Sequence, residues 1–310
     1  MIHPEVFITE MTEFQKLFTA LIPDIEYRLN EPMTLHTSFR IGGNAELMAF
    51  PKTEEELALL LRVARAEGIT PRILGAGTNV LAPDEGIPGL VICLKDCLDG
   101  MARLDDTHIR VAAGVTMTRA AVFAANLGLS GLEFAHGIPG TVGGGVYMNA
   151  GAYGGEICQV CTSVVVMDEE GNIRSCSREQ MGFSYRHSIL EEKGGIVLSA
   201  EFELSPLPAD EIRAKMKELM AKRSASQPLD LPSAGSAFKR PAGGYAAALI
   251  DQAGLRGFTV GGAGISTKHA GFAVNLGGAT ADDVRNLLSR VSDLVFDRFG
   301  IRLEPEVRIW

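Results

Sequence analysis

His136-Gly-Ile-Pro-Gly-Thr-Val-Gly-Gly-Gly-Val-Tyr-Met-Asn-Ala-Gly-Ala-Tyr-Gly-Gly-Glu156 is the stretch on which the reading of this chain turns. Eight of its 21 residues are glycine, yet Ile138, Val142, Val146, Met148 and two tyrosines are interleaved, so it is not a flexible linker. Glycine at that density costs backbone entropy on folding. It is kept where the main chain turns sharply or closely approaches a ligand. Unpaired N–H groups in such a loop can hold a pyrophosphate without a charged side chain. The stretch therefore reads as one wall of a nucleotide-cofactor site. The alternative is a glycine-rich turn packed under a sheet.

Upstream, residues 11–21 have the pattern of a short amphipathic helix. Thr53-Glu-Glu-Glu56 is a capping box, Leu57, Leu60, Leu61 and Ala64 follow at helical spacing, and Gly68 ends the run. A strand over 71–74 leads into Gly75-Ala-Gly-Thr-Asn-Val-Leu81, a compact β-α-β-like unit. The third glycine of a dinucleotide fingerprint is missing, since Val80 stands there, and no helix pattern follows. A strand-to-loop turn aiming its N–H groups at a phosphate fits better than a Rossmann turn. Downstream, 107–113 reads as a strand and 118–127 as a helix closed by Gly128. Residues 159–167 and 173–176 read as a hairpin around Asp168-Glu-Glu-Gly-Asn172, and 197–204 as an alternating strand. Pro206-Leu-Pro208 marks a boundary. Beyond it come a helix over 210–223, a polar loop over 224–232 and a second glycine-rich module over 233–278. Thr280-x-x-Asp283 caps the clearest helix, with a buried stripe of Val284, Leu287, Leu288, Val291, Leu294 and Val295 and a stop at Gly300. Residues 302–310 read as extended.

The chain has 310 residues, room for two or three domains, and 46% apolar against 22% charged residues, as in an ordinary globular protein. No run of about 18 apolar residues predicts a membrane helix. The first twenty residues carry Glu5, Glu10 and Glu13 and lack a basic start before an apolar core, so no secretory signal is expected. Five scattered cysteines suit a reducing cytoplasm. Cys158 and Cys161 form a lone C-x-x-C without further ligands at zinc spacing, so no metal site is expected. A net charge of −9 argues against nucleic-acid or anionic-membrane partners. The stretch 213–240 nevertheless holds seven Lys/Arg against Glu218 and Asp230, which suggests a local site for an anionic small molecule. Arg213, Lys215 and Lys217 read as a solvated basic face.

Three spots could carry chemistry: Phe183-Ser-Tyr-Arg-His-Ser188, Ser233-Ala-Gly-Ser-Ala-Phe-Lys-Arg-Pro241 and Leu303-Glu-Pro-Glu-Val-Arg308. Each alone has a bland reading: a surface charge, a turn, or a Glu306–Arg308 pair on one face of an extended segment. Ser236 is not in a G-x-S-x-G elbow, so it reads as a proton donor rather than a nucleophile.

At these residues the chain resembles the UDP-N-acetylenolpyruvoylglucosamine reductases, from about Thr34 to Trp310. The matching pieces are residues 30–43, Gly75–Leu81, Ile138–Gly144, Met148–Gly154, Tyr185-Arg-x-Ser188, Gly235-Ser236 and Glu304-Pro-Glu-Val-Arg308. The short gap from Arg186 to Ser236 and the run Ser266-Thr-Lys-His-Ala-Gly-Phe272 look like the type II form. The resemblance implies an α+β fold. An FAD-binding part of the vanillyl-alcohol-oxidase-like (PCMH-type) class would form two subdomains, at 1–95 and 96–208. A substrate domain would span 209–310, with 302–310 returning to the active site. It implies noncovalent FAD, NADPH as co-substrate and a UDP-sugar substrate in the cytoplasm, with no obligatory protein partner. NADPH would deliver hydride to the flavin, which passes it to the enolpyruvyl ether in peptidoglycan precursor synthesis, serving cell shape and division.

Carried over, the cofactor residues are Gly75, Ala76, Gly77, Thr78, Asn79, Val80, Pro139, Gly140, Thr141, Gly143, Gly144, Asn149, Ala150 and Gly151. The proton donor is Ser236. Arg186 and Glu306 polarise the substrate carboxylate rather than pairing structurally with each other. Tyr185, Arg223, Lys239, Arg240, Lys268 and His269 are candidate substrate contacts. Two other readings are a flavin oxidase of the same fold, with His136 as a covalent anchor, and a nucleotide-sugar-binding regulator without activity.

Overall fold

The computed structural model describes residues 11–310. The expectation about a secretory signal rests partly on residues 1–10, outside that range. The chain opens with α1 (Glu13–Leu21), where Thr12 and Gln15 form a reciprocal cap that helical spacing alone did not reveal. Strands β1 (Tyr27–Pro32) and β2 (Asn44–Ala49) follow, then α2 (Glu54–Ala66), whose cap Thr53 accepts from the Glu56 N–H. Next come β3 (Arg72–Leu74), β4 (Val80–Leu81) and β5 (Ile87–Cys93). The first sheet has the order β1-β2-β5-β3, with β1 antiparallel to β2 and with β5 parallel to both β2 and β3. Alternation does not predict the central strand β5, because Pro88 and Gly89 interrupt it. Gly89 takes φ +76° and donates its N–H to Glu46 Oε2 at 2.8 Å, after which Leu90–Cys93 are all buried.

The middle of the chain begins with β6 (Met101–Arg103), β7 (His108–Ala112), α3 (Met117–Asn126) and the short β8 (Leu129–Ser130). The glycine-rich stretch then departs from an all-loop reading. Its centre is a helix, α4 (Val142–Tyr147), capped by Thr141. Two-residue strands β9 (Gly151–Ala152) and β10 (Gly155–Glu156) follow, then β11 (Cys161–Met167), β12 (Ile173–Ser177), α5 (Leu190–Lys193), β13 (Ile196–Glu203) and β14 (Ser205–Pro206). The second sheet is wholly antiparallel in the order β12-β11-β13-β7-β6. Helix α6 (Ala209–Ser226) runs three residues past the expected end at Arg223, and its buried Ile212 and Met216 join the core of this middle unit.

The last unit comprises β15 (Ser233–Ser236), α7 (Ala246–Gln252), β16 (Thr259–Val260), β17 (Ala263–Ile265), β18 (Phe272–Asn275), α8 (Ala281–Phe299) and β19 (Arg308–Ile309). Its sheet has the order β15-β18-β17-β16. Gly300 closes α8 in the left-handed conformation, φ +69°. The predicted stripe of α8 needs one correction: Leu294 is 41% exposed, and Ser292 is buried instead. The Ser292 hydroxyl accepts from Leu303 N–H and donates to Leu303 C=O, so a polar residue inside the helix interface is satisfied.

Candidate active site

Two loops face each other between the first two units. A Cβ on Gly75 would lie 2.6 Å from Thr141 Oγ1, and one on Gly140 would lie 3.6 Å from Thr78 Oγ1. Gly77 takes φ +61°, and a Cβ there would fall 1.9 Å from the His36 carbonyl, so only glycine fits. Among the described residues, the N–H groups of Ala76, Gly77, Thr78, Asn79, Gly140 and Thr141 meet no acceptor. Converging main-chain donors of this kind suit an anionic group such as a pyrophosphate.

Other expected cofactor contacts have their donors committed inside the chain. Gly143 N–H donates to Ala113 C=O at 2.9 Å and Ala150 N–H to Gly145 C=O at 2.7 Å. Gly144 N–H is taken by Thr141 Oγ1. Asn149 is buried at φ +42°. Its amide donates to Ser184 C=O and Glu156 and accepts from Cys158 N–H, closing the loop on itself. The donor cradle thus narrows to 76–79 and 140–141. Pro139 has no N–H, and Val80 lies in β4, pairing with β19.

The C-terminal segment is threaded between the units. Arg308 N–H donates to Asn79 C=O at 2.9 Å, Glu306 N–H to Ala237 C=O at 3.0 Å, and β19 lies parallel to β4. Ser236, half-buried at the end of β15, is therefore one residue from the backbone contact that fixes Glu306. Arg186 sits at φ +55° on the turn 184–187. Its Nε donates to Glu306 Oε1 at 2.7 Å and its Nη2 to Gly151 C=O at 3.3 Å. Arg186 and Glu306 are paired with each other here, whereas Glu306 and Arg308 are not. Burial pushes the Glu306 carboxyl above its ordinary range, against the opposing pull of Arg186 and Lys239.

The basic candidates spread over a wider rim. Arg223 packs on Gly137, where a Cβ would meet its Nε at 3.0 Å, and that Nε is buried without a partner. Lys239 pairs with Glu304, and Lys268 Nζ donates to Ser224 C=O at 2.7 Å. The Arg240 guanidinium lies 4.5 Å from the Tyr245 ring centroid and 5.9 Å from that of Tyr185, whose hydroxyl accepts from Arg240 N–H. His269 stacks edge-on to Phe272, and its Nδ1 accepts from Gly271 N–H, so it supports its own loop. His136 has a buried Nδ1 without a partner. Sequence reading did not single out Glu191, which holds Arg308 at 2.6 Å, or Asp84, which caps α8 from a distance. Neither stands in a motif, and only the fold brings their partners near.

A fold of facing glycine loops, joined to a third α+β unit that sets a carboxyl against a guanidinium, is that of an FAD-binding oxidoreductase. Residues 45–177 match the FAD binding domain family, and residues 227–310 match the C-terminal domain of UDP-N-acetylenolpyruvoylglucosamine reductase. The reductase of that name from Agathobacter rectalis is 47% identical over 307 residues, covering 96% of this chain and 98% of its own. That from Caldanaerobacter subterraneus subsp. tengcongensis is 48% identical, with 91% and 92% covered. The crystal structure of the enzyme from Thermus caldophilus superposes with a TM-score of 0.77 at 38% identity, covering 92% of this chain and 98% of that one. The chain belongs to the UDP-N-acetylenolpyruvoylglucosamine reductase family. It is an FAD-dependent enzyme that reduces the enolpyruvyl ether to UDP-N-acetylmuramate in peptidoglycan precursor synthesis.

Proposed function

We propose that the reducing equivalents come from NADPH, that the FAD is noncovalent, and that Arg186, Glu306 and Ser236 act on the enolpyruvyl group. The observation that carries this is the meeting of Arg186 and Glu306 at 2.7 Å, 120 residues apart in sequence, beside the strand end that holds Ser236. The unpaired N–H groups of 76–79 and 140–141 suit the FAD pyrophosphate. FAD, when bound, supplies the hydride. Addition of hydride to the methylene carbon leaves an electron pair on the neighbouring carbon, conjugated with the carboxylate. Arg186 holds that carboxylate and stabilises the charge as it grows. Its Nη1 has no partner among the described residues, and the substrate displaces Glu306 from part of the fork. Burial shifts the Glu306 carboxyl towards its protonated form, and in that form it donates a hydrogen bond to the same oxygens. The Ser236 hydroxyl gives its proton to the carbon bearing the electron pair and regains one from solvent.

Arg223, Lys239, Arg240 and Lys268 form a cationic rim for the substrate diphosphate. The setting we infer is the cytoplasm, with consequences for cell shape and division. All five cysteines are free, which suits a reducing compartment, and no helix of the described residues is long and apolar enough to cross a membrane.

Replacing Ser236 by Ala tests the assignment of the acid. Anaerobic reduction of the flavin by NADPH should keep its rate. Reoxidation by UDP-N-acetylenolpyruvoylglucosamine should slow by about 10² or more, the usual scale for a positioned acid. Equal slowing of both steps would make Ser236 a positioning group, and no slowing of either would remove it from the mechanism.

A further inference from the structure

Main-chain bonds tie the C-terminal segment to the first and third units: Arg308 to Asn79, Trp310 to Leu81 and Glu306 to Ala237. The middle unit, which carries Arg186, is held to that segment by side chains. Glu306 and Arg308 stand on either side of a bend at Val307, and both side chains reach the middle unit. Glu306 meets Arg186. Arg308 Nη1 donates to Glu191 Oε1 at 2.6 Å, and its Nη2 lies 3.6 Å from Met148 Sδ. The Arg308 guanidinium also lies 5.8 Å from the Tyr147 ring centroid. Glu191 is oriented in turn by His187, whose Nδ1 lies 3.1 Å from Oε2. Arg186 and His187 are neighbours on one turn, with Ser184 and His187 bonded main chain to main chain. The Arg308–Glu191 pair is 33% and 29% exposed, partly shielded from solvent screening.

We propose that Glu191 is a positioning residue: through Arg308 it tethers the C-terminal segment carrying Glu306 against the turn carrying Arg186, and so sets the approach of Glu306 to the substrate carboxylate. The proposal rests on the assignment of Glu306 and Arg186 above. A tether acts only through what it positions. Loss of Glu191 leaves the main-chain anchors of β19 intact but frees the segment to shift relative to the middle unit. Displacement of a reacting group by about an ångström costs on the order of 10²-fold in rate.

The test is single-turnover reoxidation of the NADPH-reduced enzyme by UDP-N-acetylenolpyruvoylglucosamine at several substrate concentrations, in Glu191→Gln, Glu306→Gln and the double variant. Flavin content and melting temperature are measured alongside. For Glu191→Gln the limiting rate should fall by about 10- to 100-fold, with half-saturation and NADPH reduction held near the wild-type values. In the Glu306→Gln background the same change should cost less than about twofold, because coupled sites are not additive. Multiplicative losses, or a lower melting temperature with the limiting rate intact, overturn the tether. A full rate in Glu191→Gln beside a slow Glu306→Gln overturns the tether alone. A full rate in Glu306→Gln removes the role assigned to Glu306 and the tether with it.

Discussion

Glu306 and Glu191 both meet the C-terminal segment's ion pairs, Glu306 through Arg186 and Glu191 through Arg308, and their carboxyls are biased in opposite directions. Burial raises Glu306 above its ordinary 4.5, only partly offset by Arg186 and Lys239. The folded protein then binds more protons than the unfolded chain between 4.5 and the raised value, so stability falls as pH climbs through that window. The Arg308 hydrogen bond, helped by His187, holds Glu191 down to about 2 despite partial burial. There the unfolded chain binds more protons, so the stabilisation is complete above 4.5 and lost as pH falls towards 2. Urea unfolding of Glu306→Gln and Glu191→Gln against wild type, from about pH 3 to pH 8, should therefore give difference curves of opposite slope. Relative to its variant, wild type should lose ground with rising pH in the first comparison and gain it in the second. Slopes of the same sign would refute the assigned environments.

At the scale of single elements, α4 shows how one run of three glycines serves three surroundings. A Cβ on Gly143 would lie 2.9 Å from Ala113 Cβ and 3.2 Å from its carbonyl, and one on Gly145 would lie 2.8 Å from Met117 Sδ. A Cβ on Gly144, on the exposed side, would meet only Thr141 Oγ1 at 3.5 Å. Gly143→Ala should therefore cost about 1–3 kcal/mol by overpacking. Gly144→Ala should be neutral or stabilising by about 0.4–1 kcal/mol, since it restricts the unfolded chain without a clash. Melting temperatures with flavin content check both. Flavin loss in Gly144→Ala at an unchanged melting temperature would instead place the cofactor against that outer face. Glycine density signalled close approach, and close approach is what the element shows. For Gly143 and Gly145, however, the neighbour is protein, and composition carries no mark of which.

Across the whole molecule, the third unit shares a core with Phe39, Ile41 and Leu81 of the first, and polar contacts fix the join. Ser38 exchanges main-chain and hydroxyl bonds with Ser233, and Asn275 donates to Phe39 C=O. Asp84 accepts from Ala281 N–H at 2.8 Å and Asp282 N–H at 3.3 Å at the start of α8. Thr280 and Asp283 already form the local capping box, so Asp84 takes two of the donors it leaves open and adds negative charge at the positive helix end. Asp84→Ala should lower unfolding free energy by about 1 kcal/mol, the scale of a lost cap, and speed hydrogen exchange at Ala281 and Asp282. Unchanged exchange at those amides would show that the docking does not depend on this carboxylate.

Sequence by itself determined the local elements with self-contained signals. The caps at Thr53 and Thr280, the glycine stop at Gly300, the hairpin around Asp168 and most of the α8 stripe are set by neighbours within a few residues, where propensity, capping and periodicity act. The motifs around Gly75, Arg186, Ser236 and Glu306 were visible as residue patterns. Tertiary structure alone decided the rest. It made α4 a helix by packing it on β13 and β7 and bonding its start to Val115 and Ala113. It made β5 the central strand despite Pro88 and Gly89. It exposed Leu294 and buried Ser292, and it laid α6 on the middle core although Pro206-Leu-Pro208 precedes it. It also placed Glu306 against Arg186 and Arg308 against Glu191 across 120 and 117 residues. Those pairings depend on which surfaces close over one another, and nothing within a few residues of either partner encodes them.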